Sequence, residues 1–109
     1  LTTTNATVLY TAPSETDFNT SIVNSILVSE DSGNADTITV TVTTSGGAVF
    51  SLFHVKAVAA STTIELLTKD LVLQSGEILK ATAATANRLH VVASIQEFTK
   101  TRISTSAGL

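Results

Sequence analysis

The hydrophobic and polar positions of this chain alternate over short distances, most clearly in DTITVTVTT, residues 36–44. There Ile38, Val40 and Val42 take every second place between Thr37, Thr39, Thr41 and Thr43. A period of two is the side-chain period of a β-strand, so the segment predicts a strand with one apolar and one hydroxyl face. SIVNSILVSE, residues 21–30, predicts a strand before it, and the turn formers of DSGNAD predict a hairpin or tight loop between the two. SGG, residues 45–47, marks the next turn. AVFSLFHVKAV follows, apolar on both faces through Val49, Phe50, Leu52, Phe53 and Val55, which predicts a strand covered on both sides.

The second half repeats this rhythm with STTIELLT (61–68), DLVLQSGEILKATA (70–83, turning at Ser75 and Gly76) and NRLHVVASIQEF (87–98). In the last, Leu89, Val91, Ala93 and Ile95 form one stripe and His90, Val92, Ser94, Gln96 and Phe98 the other. TTIELLTKDLV is the one segment with helical spacing, but its Thr and Ile content and the break at Asp70 favour strand and turn. Turn signals recur every 8 to 12 residues or so, which predicts an all-β fold: an antiparallel β-sandwich or jelly roll of about seven to eight short strands. Residues 1–98 read as one such domain with a short N-terminal arm, LTTTNAT, and residues 99–109 as a polar C-terminal tail. TITVTVTT carries none of the Lys or Pro residues that blunt a sheet edge, so if it is an edge, something covers it.

Charge narrows the partners. A net charge of −3, with six Lys and Arg scattered singly, lacks the basic footprint that a run of phosphates requires, so no nucleic acid is expected. No apolar run approaches the roughly 20 residues that cross a bilayer, and the polar start lacks the features of a signal peptide, so no membrane is expected and the chain reads as soluble. Cysteine is absent, which removes disulfides, thiolate metal sites and Cys nucleophiles. Abundant Ser and Thr with only 14% charged residues suit sheet surfaces, facing either water or other subunits.

Candidate chemistry is sparse. His54 and His90 are the histidines, each among apolar neighbours on a predicted strand, and no G-x-S-x-G elbow presents a serine. Both read as structural. A zinc site would need Glu65 or Glu97 beside them, an unspecific pattern. Glu30, Asp31 and Asp36 in EDSGNAD depart from the calcium-loop spacing and read as a solvated acidic turn. Tyr10, Phe18, Phe50, Phe53 and Phe98, the whole aromatic set, read mostly as core, which disfavours a sugar site. No catalytic, cofactor or metal residue is therefore expected, and the chain reads as a non-enzyme.

The order of the pieces carries a resemblance. An LYTAP opening at residues 9–13, the Ile22–Val23 pair, the Asp31 to Asp36 loop, the Thr/Val strand at 37–42, the Ser/Thr-led strand at 61–66, LQSGEILKA at 73–81 in the place of L-x-x-G-[DE]-x-I-x-A, and S-x-x-E at 94–97 succeed one another. Over residues 7–98 this resembles small all-β virion proteins of tailed bacteriophages. It departs from them at Glu77, where Asp is frequent, and in the added tail. The resemblance implies a capsid decoration or cement protein on the capsid exterior, a homotrimer bound to the major capsid protein or other virion subunits. A neck, tail or fibre component is the alternative, and a host-surface carbohydrate-binding module a further one. The expected contact residues are Leu1, Thr2, Thr3 and Thr4 of the arm, Asp31, Asn34 and Asp36 of the loop, and Lys100, Arg102 and Ile103 of the tail.

Overall fold

The computed structural model describes residues 1–13 and 20–98. Eight strands run in chain order: β1 (Thr7–Thr11), β2 (Thr20–Glu30), β3 (Asp36–Thr43), β4 (Val49–Val58), β5 (Thr63–Glu65), β6 (Leu71–Gln74), β7 (Ile78–Ala83) and β8 (Leu89–Phe98). They form two antiparallel sheets, and the fold is an all-β sandwich. The first sheet has the order β1-β7-β3-β4. In the second, β2 is central: β8 pairs along one side of it, while β6 (opposite residues 20–23) and β5 (opposite 27–29) share the other.

Alternation decides which side chains meet between the layers. Ile38, Val40 and Val42 of β3 face Ala83, Ala81 and Leu79 of β7, and all six are buried. Val23, Ile26 and Val28 of β2 meet them from the other sheet with Leu73 and Leu89, in one continuous cluster. Along β2 the buried places switch from Ser21 and Val23 to Ile26, Val28 and Glu30, because the register shifts between Val23 and Ser25 and leaves Asn24 as the extra residue of a bulge. In β8 the stripe of Leu89, Val91, Ala93 and Ile95 is the inward one, with exposed residues between.

Residues 36–43 lie inside the first sheet, with β7 on one side and β4 on the other, so neighbouring strands cover both of its edges. Of the two forms expected for DSGNAD, the structure has the tight loop, a corner that joins strands of different sheets. One expectation is corrected: β4 is not covered on both faces. It is an edge strand with Val49 at 61%, Phe50 at 59% and Val55 at 54% exposure. Apolar residues on both faces of a segment predict burial only if layers exist on both sides, and a two-layer sandwich supplies one.

Candidate interaction surface

The two corners at one end of the sandwich are organised by Glu30. Its carboxylate, on a residue only 1% exposed, accepts hydrogen bonds from the backbone N–H groups of Ser32 (2.9 Å), Gly33 (3.0 Å) and Ser61 (3.0 Å) and from the Ser32 hydroxyl. Glu30 is thus not part of a solvated turn. Burial by itself would raise its pKa, but the four hydrogen bonds outweigh that and lower it to about 2. A carboxyl held below its ordinary value of 4.5 stabilises the fold above that pH, and the contribution is lost as pH falls from about 4.5 through about 2. Glu30→Gln is expected to lower the urea midpoint at pH 7 and to flatten its decline between pH 4.5 and 2. Parallel pH profiles for the two proteins would contradict this role.

The loop residues expected to make contacts divide accordingly. Asp36 is 8% exposed and its Oδ2 accepts from the Thr85 N–H at 3.0 Å, so it braces the β7–β8 connection and is not presented to a partner. Asp31 is exposed and pairs with His90 at 3.2 Å, while Asn34 is exposed with its N–H on the Ser32 hydroxyl. In the arm, Leu1 packs on the domain's own core, its nitrogen donates to the Leu89 carbonyl, and its carbonyl accepts from the Asn87 N–H at 2.8 Å. Thr2 and Thr4 are exposed and Thr3 half-buried. Lys100, Arg102 and Ile103 lie outside the described residues.

The groups considered for metal binding do not converge. His54 lies on β4 in the first sheet and His90 on β8 in the second. Glu65 accepts from the Ile26 N–H at 2.8 Å, the Leu67 N–H at 3.1 Å and the Ser25 hydroxyl, and Glu97 accepts from the Tyr10 phenol. Burial first, and then the Glu97 carboxylate, hold the Tyr10 phenol above its ordinary pKa. Among the described residues no three His, Cys, Asp or Glu side chains come together. An open groove of about 480 Å³ lies at the Glu30 end, lined in part by Ala35, Asp36, Ala57, Ala84 and Arg88. Its guanidinium is held by the Ala35 carbonyl at 3.0 Å and its carboxylate by Thr85, so its polar groups serve the corners.

Exposed apolar side chains are most numerous along β4 among the described residues, with Val8, Leu27, Val72, Val92 and Phe98 exposed on other strands. Phe50 and Phe53 stand opposite the buried Val42 and Val40, yet Phe50 stays mostly exposed among the described residues. Register shifts on either side of Val40 bulge the strand between Ser51 and Lys56 and turn out Leu52 (39% exposed) and Val55. Val55 has φ 52°, a conformation that costs a β-branched residue about 1–2 kcal/mol, and its N–H is held by the Thr39 hydroxyl at 3.0 Å. At the hairpin base the Thr43 hydroxyl is buried without a hydrogen-bond partner among the described residues. Sequence reading missed this surface because the same apolar residues, with exposure unknown, read as core. The signal that could have found it is the single Lys56 among them, since a charged residue inside an apolar run marks a side open to water.

No family model, curated protein or solved structure matches this chain.

Proposed function

We propose that the protein is a non-enzymatic structural subunit of a tailed-phage particle, a capsid decoration or cement protein that adheres to the major capsid protein. The observation that carries this reading is the apolar surface of β4, with Val49, Phe50, Leu52 and Val55 all facing water. Several large apolar side chains left in water along one edge strand suit a protein-contact surface. Its depletion in charge, with Lys56 alone among the carboxylates and amines of that strand, suits the dry centre of such a contact. The carboxylates of Glu30, Glu65 and Asp36 are occupied by backbone N–H groups of their own chain. The order of sequence pieces quoted above supplies the virion context.

The test is sedimentation of the purified chain with undecorated phage heads, followed by a count of copies on the intact particle. Hundreds of copies are expected for decoration. A count of six, twelve or a few dozen would transfer the chain to the neck, tail or fibre, and failure to bind any part of the particle would end the proposal.

A further inference from the structure

The first sheet ends in two strands of unequal length, β1 with five residues and β4 with ten. An edge of ten residues is long enough for another strand to pair with, and β4 adds exposed apolar side chains to that opening. Its backbone, however, is irregular. From the pair Ile38 and Lys56 to the pair Thr41 and Ser51 the ladder takes three steps on β3 and five on β4, so β4 holds two residues more than its neighbour. One extra residue would reverse the side-chain phase, but two restore it. Phe50 stands opposite buried Val42 on one side of the irregular stretch, and Val58 opposite buried Asp36 on the other. The stretch therefore leaves the faces of the strand as they were. What it changes is the open edge, where regular pairing is cut to Val49–Ser51 and Lys56–Val58, three residues each.

Val55 is the most strained point of the stretch. Its φ of 52° suits glycine or asparagine and strains a β-branched residue, and the Thr39 hydroxyl on the neighbouring strand fixes it there by accepting the Val55 N–H at 3.0 Å. Lys56 follows it. That residue stands opposite the fully buried Ile38 and so shares the inner face of the sheet, yet it is itself exposed. A lysine in this place reaches water only while β4 remains an edge; a strand added beside it would wall it in. We propose that the double bulge at residues 52–55, held by Thr39 and followed by the inward Lys56, is a built-in block to strand addition at β4. The proposal rests on the reading of β4 as a contact surface and adds how the contact is made: through side chains, with the backbone edge closed to a second copy of this chain. Strain at Val55 is then retained because it keeps the longer edge of the first sheet from pairing copy to copy.

Deleting Leu52 and Val55 together would set Phe53 opposite Val40 and His54 opposite Thr39, an uninterrupted ladder with every face kept. Combined with Lys56→Thr, this deletion should make the full chain self-associate at a concentration roughly tenfold or more below any at which the wild type does. Sedimentation velocity from about 1 μM to about 1 mM reads the shift. The β4 amides should gain protection from hydrogen exchange as the variant associates. Val55→Gly is the opposite control: it relieves the strain and keeps the bulge, so its urea midpoint should rise and its association should not. If the deletion variant fails to fold, Thr39→Val with Lys56→Thr, which frees the Val55 N–H without shortening the chain, is the substitute and should show the same shift. A folded variant that associates no more readily than the wild type, a wild-type chain that pairs with protection of its β4 amides, or a urea midpoint lowered by Val55→Gly overturns the proposal. No phage head enters these measurements, so failure of the head contact and failure of the block are read separately.

Discussion

Leu79→Ala is expected to lower the unfolding free energy by about 2–5 kcal/mol, which corresponds to a fall of about 10 °C or more in the thermal midpoint. Leu79 is fully buried on β7, opposite Val42 of β3 and Tyr10 of β1, at the place where the first sheet meets the Leu73 side of the second. Shortening it removes the transfer energy of three carbon atoms and leaves a cavity that the strand ladders on both sides of β7 prevent from closing. The matched control is Val92→Ala. That residue is 59% exposed on β8, so its loss should change stability by about 0.5 kcal/mol or less. Differential scanning calorimetry of the two variants checks both values. Equal midpoints would mean that the interior is not the single cluster described above.

The second large effect is expected at β4. Phe50→Lys combined with Val55→Lys should weaken binding to phage heads by roughly 30-fold or more, the scale of losing about 2 kcal/mol at an aromatic anchor. Fold stability should change little, since Phe50 and Val55 are 59% and 54% exposed. Co-sedimentation titrations with heads, run beside urea unfolding of the free variant, separate loss of contact from loss of fold. Undiminished head binding would remove β4 from the contact and with it the main physical support for the adhesive reading.

The local pattern already contained the strands. Residues 36–43 declare their inner face through Ile38, Val40 and Val42, and residues 89–98 declare theirs through Leu89, Val91, Ala93 and Ile95, because side-chain direction in a strand follows from parity alone. The turn at Ser75 and Gly76 was equally legible, with Gly76 at φ 78° where a side chain would be strained. Parity failed at Asn24, since a bulge changes phase without any residue type that demands it. Glu30 was misread for a related reason. A carboxylate flanked by Asp31, Ser32 and Gly33 looks solvated in one dimension, and only the arrival of Ser61 from a corner 31 residues away closes its hydrogen-bonding shell.

What the sequence determined by itself is therefore the class of secondary structure, the inward face of most strands and the shortage of reactive groups, all of which depend on neighbours a few residues apart. Tertiary structure alone decided which strands became edges. Whether β4 or β3 ends the first sheet depends on pairings between distant segments, and those pairings convert an identical apolar run into either core or exposed surface. Exposure belongs to the assembled layers and not to any stretch of chain, which is why Phe50 reads as core in the sequence and stands in water in the fold.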